Sequence, residues 1–208
     1  MSLHLGGLVL AGGLGSRMGH VNKGLQPWFT GRLIMPALEV LQQQCSYVAI
    51  SANQDLEQYQ ALGVNVWPDA LQWQGCGPLA GVISSVSHFP SHIDRIQILP
   101  CDTPLLSAEV VAKLSDALQN GVVPAVYAQT RSQTHPVVCQ FKREAMASLI
   151  EYLQQAGKHS IRRWLMQIGA EAVWFDEESQ FANVNDVATL SALQAQNHRK
   201  EHHGLNTL

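Results

Sequence analysis

Gly7-Leu8-Val9-Leu10-Ala11-Gly12-Gly13-Leu14-Gly15-Ser16-Arg17-Met18-Gly19, followed shortly by Asn22-Lys23-Gly24, decides how this 208-residue chain is read. The apolar run Gly7–Leu10 predicts a buried β-strand that releases the chain into a loop. Glycine allows positive φ and removes the Cβ that would hold a ligand away from backbone N–H groups. Bare amides from Gly12, Gly13 and Gly15, set beside Arg17 and Lys23, form a cationic cradle whose natural occupant is a polyphosphate. Two better-known phosphate loops do not fit. The dinucleotide fingerprint needs glycine where Met18 stands, and the P-loop needs Gly-Lys-Ser/Thr, whereas Lys23 lies between Asn22 and Gly24.

Outward from that loop, strand and helix patterns alternate. Leu33, Ala37, Leu38 and Leu41 mark a helix over Leu33–Gln44, and strands are expected at Tyr47–Ser51 and Val64–Trp67. Pro78 opens a helix over about 79–88. Arg95–Leu99 is a strand ending at Pro100, and Ser107 is placed to cap a helix reaching Leu118. Such alternation predicts an α/β fold: a Rossmann-like three-layer α/β/α arrangement with a mostly parallel sheet. After residue 121 the rhythm changes. Val123–Ala128 and Pro136–Phe141 have no helix between them, so a small antiparallel element is expected in the C-terminal half. Helices over 143–155 and 160–168, a strand Ala172–Phe175 and a closing helix Asp186–Gln196 complete the pattern. One domain is expected over residues 1–196, with a polar, disordered tail over 197–208.

Composition narrows the function. At 46 % apolar residues, a chain of this length can bury roughly 70 % of its unfolded surface in one core. A net charge of −3 and a pI near 6.3 argue against a nucleic-acid-binding face, so positive charge acts locally, at Arg17 and Lys23. Apolar runs are too short to cross a bilayer, no secretory leader pattern is present, and a cytoplasmic protein is expected. Cys45, Cys76, Cys101 and Cys139 have neither disulfide-framework nor zinc spacing and are expected to be reduced.

In open α/β sheets, ligands collect at the C-terminal ends of the strands. Asp69 follows Trp67-Pro68, Asp102 follows Pro100-Cys101 and precedes Thr103-Pro104, and Ser51-Ala52-Asn53 closes the second strand. A carboxylate there suits Mg²⁺, which combines one or two carboxylates with phosphate oxygens and water. Asp-Thr-Pro also suits a plain turn, and Asp69 a plain helix cap. Gly75-Cys76-Gly77-Pro78-Leu79-Ala80-Gly81 is a second glycine-rich approach at a helix N-terminus, facing either the base or a second substrate.

Leu10-Ala11-Gly12-Gly13-x-Gly15-x-Arg17-Met18-Gly19 with Lys23-Gly24-Leu25 resembles the signature loop of nucleotidyltransferases of the nucleotide-diphospho-sugar transferase (GT-A-like) fold. Gly77-Pro78-Leu79-Ala80-Gly81, Pro100-Cys101-Asp102-Thr103-Pro104, His135-Pro136 and Phe181-x-Asn183-Val184-Asn185 are similar to the molybdenum cofactor guanylyltransferases, in order over almost the whole chain. The resemblance implies GTP as donor, molybdopterin as acceptor and Mg²⁺ as cofactor. It also implies Leu10, Ala11, Gly12, Lys23 and Asp69 at the nucleotide, Asp102 at the metal, and Asn183 and Asn185 toward the acceptor. Arg17, Lys23 and Asp102 form the expected catalytic set. Gly77 and His135 join the acceptor side, His135 in an acceptor-binding or structural role. Cofactor-delivery proteins or molybdoenzymes are the expected partners of a monomer or weak oligomer.

Two positions depart from the family pattern. Asn22 stands where Asp is common before the lysine, and Ser51 where a guanine-side Asn is usual, with Asn53 two residues on. Ser51 keeps open a related nucleotidyltransferase that uses CTP or a sugar-phosphate acceptor. A non-catalytic nucleotide-binding partner is a further alternative.

Overall fold

The computed structural model describes residues 2–12, 14–15, 21–155, 157 and 159–184. In chain order the strands are β1 (Ser2–Leu10), β2 (Leu14–Gly15), β3 (Val21–Asn22), β4 (Pro27–Trp28), β5 (Gly31–Arg32), β6 (Cys45–Ser51), β7 (Asn65–Trp67), β8 (Arg95–Pro100), β9 (Ala125–Gln129), β10 (Thr134–Lys142) and β11 (Glu171–Trp174). The helices are α1 (Met35–Gln44), α2 (Leu56–Gln60), α3 (Pro78–Val86), α4 (Ala108–Asn120), α5 (Met146–Gln154) and α6 (Ile161–Gln167). Seven strands make one sheet in the order β11-β9-β10-β8-β1-β6-β7. All its pairs are parallel except those of β10, which runs antiparallel to β8 and β9.

Central β1 shows why three layers form. Its side chains alternate across the sheet: Leu5 and Val9 pack into the core shared with Leu38 and Leu41 of α1 and Leu114 and Leu118 of α4. Leu8 points into the opposite core, built with Leu79 and Val82 of α3, Leu149 of α5 and Trp164 of α6. Each of these side chains is almost fully buried. Strands buried on both faces read as continuous apolar runs, which is what Gly7–Leu10 displays; in β8 the run is broken by Gln97, which is fully buried and donates to Cys139 O.

The main elements lie where periodicity places them, with shifted ends. The first strand begins at Ser2 rather than Gly7, and the helix expected from Leu33 begins at Met35. Leu33 is still fully buried, packed with Trp28 and Val184 in a third small cluster. The expected antiparallel element is β9–β10. The hairpin rungs β2–β3 and β4–β5 and the five-residue α2 are too short to carry a detectable period. Ser107 precedes α4 but makes no cap bond; its hydroxyl donates to Gln180 Oε1 at 2.8 Å instead. The four cysteines are free thiols. The helix expected at Asp186–Gln196 and the tail 197–208 lie outside the described residues.

Candidate active site

Parallel register sets the site. Leu10 pairs with Pro100 on one side and Ser51 on the other, and Ser51 pairs with Trp67, so β8, β1, β6 and β7 end level with one another. The ladder continues for one further residue: Cys101 N–H donates to Leu10 O at 3.2 Å, Ala11 N–H to Ser51 O at 2.8 Å and Ala52 N–H to Trp67 O at 3.2 Å. The next residue on each strand leaves the sheet. Those four residues are Asp102, Gly12, Asn53 and Asp69, side by side along the strand ends.

At one end of this row Lys23 Nζ meets Asp102 Oδ2 at 3.3 Å, with both side chains less than a fifth exposed. Among partly buried groups such a pair is held with less water screening than on an open surface. Two strands away, Asn53 grips Asp69 from two sides. Its Nδ2 donates to Asp69 Oδ2 at 2.9 Å, and its Oδ1 accepts from Asp69 N–H at 2.8 Å. Burial pushes the Asp69 carboxyl above its ordinary pKa, and the Asn53 bond partly opposes that shift.

Both pairs open into one cleft of about 720 Å³. Its second wall is the start of α3, where Gly77 holds the N-cap position with φ 65° and Pro78 follows at N1. Gly81, one turn on, is required by close approach: a Cβ there would overlap Ser51 Oγ. The third wall comes from β10. Its pairing with β9 jumps from His135↔Ala128 to Cys139↔Tyr127, so Pro136, Val137 and Val138 bulge out of the ladder and line the cleft. Proline has no N–H to give the ladder, which places the break here.

His135 stacks on Phe181, with ring centroids 4.4 Å apart, and its Nε2 lies 3.2 Å from Thr130 Oγ1. Burial lowers its pKa, opposed by Glu178, and favours the neutral imidazole. The segment carrying Phe181 is tied to the β8 end. Thr103 Oγ1 donates to Asn183 Oδ1 at 2.6 Å, and Val184 N–H donates to Asp102 O at 2.7 Å. Cys101 also lines the cleft, but burial pushes its thiol up to about 12, which leaves little thiolate for nucleophilic chemistry.

The cleft therefore gathers Leu10, Gly12, Lys23, Ser51, Asp69 and Asp102 from the expected nucleotide set. Gly77, His135 and Asn183 from the expected acceptor set line it too. Ala11 is buried and its amide is taken by Ser51 O, so it offers no N–H to a ligand. Gly15 lies in the β2–β3 rung opposite Val21. Gly13, Arg17 and Asn185 lie outside the described residues. Sequence reasoning left Asn53, Thr103, the 136–138 bulge and Phe181 without roles. A proline inside a strand pattern was the available signal for the bulge. Among the described residues no cluster of three or more His, Cys, Asp or Glu can hold a metal by itself, and no helix is long and apolar enough to cross a membrane.

A mostly parallel sheet between two helical layers carries a lysine–carboxylate pair and a second clamped carboxylate along its level strand ends, and comparison with known proteins assigns this chain to the nucleotidyltransferases. The sequence profile of the MobA-like NTP transferase domain matches residues 7–172. The chain belongs to this MobA-like family. It is 38 % identical over 193 residues to the molybdenum cofactor guanylyltransferase of Bordetella pertussis, covering 91 % of this chain and 96 % of the relative. It is 37 % identical over 207 residues to that of Acidovorax ebreus, covering 93 % and 96 %. Among solved structures, molybdopterin-guanine dinucleotide biosynthesis protein A from Archaeoglobus fulgidus superposes with a TM-score of 0.72 at 20 % identity, over 93 % of this chain and 99 % of that one. The 4-diphosphocytidyl-2C-methyl-D-erythritol synthase of Anaerococcus prevotii gives 0.76 at 11 % identity, over 94 % and 96 %. At these identities the superpositions speak for the fold.

Proposed function

We propose that the chain transfers GMP from GTP to the phosphate of molybdopterin, forming molybdopterin guanine dinucleotide and pyrophosphate. The observation that carries this is the occurrence, in one cleft, of the Lys23–Asp102 pair at one end of the row of strand ends and the Asn53–Asp69 pair at the other. The first suits a triphosphate and the second a base. An ionised carboxylate only accepts hydrogen bonds, so Asp69 matches the N1–H and N2–H₂ donors on the edge of guanine. The corresponding edge of cytosine offers a carboxylate one donor, N4–H₂, beside acceptors at N3 and O2, so guanine's paired donors favour GTP over CTP despite Ser51.

In the reaction an acceptor phosphate oxygen attacks the α-phosphorus, a new P–O bond forms, and the bond to pyrophosphate breaks with its electron pair leaving on oxygen. Two like unit charges 4 Å apart repel by about 4 kcal/mol at an effective dielectric near 20. Offsetting that repulsion and holding an in-line geometry are the main catalytic tasks. Lys23 supplies a cation at the phosphates, and Arg17 is proposed to add a second. No protein nucleophile is needed, because the acceptor phosphate is already ionised, and for the same reason no general base is required of His135.

Asp102 fits Mg²⁺ as a single carboxylate whose ion completes its shell with nucleotide phosphates and water, consistent with the lack of a multi-residue cluster among the described residues. When bound there, the ion would neutralise phosphate charge that develops as pyrophosphate leaves. Gly77, His135, Asn183 and Asn185 are proposed for the acceptor side. A single catalytic domain over 1–196, acting in the cytoplasm as a monomer or weak oligomer and passing product to a delivery protein or molybdoenzyme, completes the proposal.

Purified protein given [α-³²P]GTP, molybdopterin and Mg²⁺ is expected to label the acceptor and release one pyrophosphate per transfer. CTP in place of GTP is expected to give little product. A protein that binds GTP without releasing pyrophosphate would sink the enzymatic assignment, and equal use of CTP would sink the base assignment.

His135 gives a pH prediction. Its folded-state pKa lies below the unfolded value of about 6.5. On acidification the unfolded chain takes up the proton first, so the contribution to stability is complete above about pH 6.5 and is lost as pH falls from there through the folded value. His135→Phe keeps an aromatic face for Phe181 and should shrink the drop in Tm between about pH 7.5 and 5.5. An unchanged drop in thermal melts would assign that pH sensitivity to other groups.

A further inference from the structure

Lys23 begins a single 3₁₀ turn, Lys23–Leu25, and the residue before it is anchored by its side chain to another part of the molecule. The hydroxyl of Tyr59, fully buried on α2, donates to Asn22 Oδ1. Asn22 Nδ2 in turn donates to Asp55 Oδ2 at 3.1 Å. Asp55 is held in the left-handed region (φ 52°, ψ 36°) immediately before α2, and its other oxygen accepts from Gln58 Nε2 at 3.2 Å. The Asn22 carbonyl accepts from Gln26 Nε2 at 3.2 Å on the far side of the turn. Gly24 shows how close the turn must come. A Cβ there would lie 2.6 Å from Tyr59 Oη, so only glycine lets the hydroxyl reach Asn22. Burial raises the Tyr59 pKa, which keeps the phenol protonated and a donor.

The polarity of this chain of bonds is specific. Position 22 must accept from a hydroxyl at one end and donate to a carboxylate at the other, which a neutral amide does and a carboxylate does not. An aspartate at 22 would set two carboxylates within hydrogen-bond distance of each other. We propose that Asn22 is a positioning residue: the Tyr59–Asn22–Asp55 tether holds the Lys23 turn so that the ammonium stands opposite Asp102 before nucleotide arrives. This rests on Lys23 being the cation that faces the phosphates. It also makes the amide at 22 and the carboxylate at 55 a matched pair, exchangeable together but not singly.

The test is a charge exchange, read by steady-state kinetics with GTP and by calorimetric binding of inorganic tripolyphosphate well below the melting temperature. Asn22→Asp is expected to lower kcat/KM for GTP by about tenfold or more and to weaken tripolyphosphate binding, as a displaced catalytic cation would. Adding Asp55→Asn to it should restore both to within about threefold of wild type, because the new amide at 55 can donate to the new carboxylate at 22. Tyr59→Phe removes only the hydroxyl donor and should cost about threefold or more in kcat/KM with tripolyphosphate binding reduced in parallel. It serves as the deciding variant if the Asn22→Asp protein does not fold. Wild-type kinetics in Asn22→Asp, no rescue in the double variant, or wild-type behaviour in Tyr59→Phe would each overturn the tether. Absence of GMP transfer by the wild-type protein would instead overturn the guanylyltransferase reading, and the tripolyphosphate ranking would still decide the tether.

Discussion

Asp102→Ala is expected to slow nucleotidyl transfer by about 10³-fold, equivalent to about 4 kcal/mol of transition-state stabilisation, while the protein stays folded. The carboxylate stands at the end of β8, less than a fifth exposed, with Lys23 Nζ at 3.3 Å. Its removal takes away the proposed oxygen ligand for a divalent cation and the carboxylate that faces Lys23. In the proposed reaction both losses fall where pyrophosphate charge develops. Stability should suffer far less. The Asp102 backbone carbonyl still receives Val184 N–H, so the tie between the end of β8 and the Phe181 segment survives the substitution. Initial rates titrated with Mg²⁺, together with thermal melts, separate the two effects. A near-normal rate at saturating Mg²⁺ would remove Asp102 from the metal site.

Lys23→Ala should cost about 10²–10³ in kcat, or about 2.7–4 kcal/mol, the scale of losing one preorganised donor to a developing anion. The ammonium is held at the end of a turn tethered through Asn22, so little reorganisation is needed when the transition state forms. Lys23→Arg should not restore the rate, since the planar guanidinium is bulkier and places its charge differently. Single-turnover rates with GTP and acceptor measure this directly. A loss of tenfold or less in Lys23→Ala would argue that the lysine serves the carboxylate pair alone.

The two residues behind these expectations were visible in the sequence for different reasons. Lys23 stands out because it follows a glycine-rich exit from an apolar strand. Asp102 stands out because prolines bracket it at the end of another strand. Both are local signals of backbone chemistry. Asn53 shows the limit of that kind of signal. In sequence it is one polar residue after Ser51, and its significance is the clamp on Asp69, sixteen residues later and one strand away. Ser107 shows the reverse: its local context predicts a cap, yet a partner 73 residues distant, Gln180, takes the hydroxyl. The 136–138 bulge lies between these cases, since Pro136 marks a break in a strand but not the wall onto which the break turns.

The chain's own order of residues determined the α/β class, the glycine-rich exit from β1 and the carboxylates at strand ends, because periodicity, glycine and proline act over a few neighbouring positions. Tertiary structure alone decided which of these groups meet. Lys23 and Asp102 are 79 residues apart, and Thr103 and Asn183 are 80 apart. The lysine meets Asp102 because β1 and β8 end level with one another and the Tyr59–Asn22–Asp55 tether anchors the residue before it. Register arises from strand pairing and two-sided burial across the whole sheet, forces to which no short window of sequence gives access.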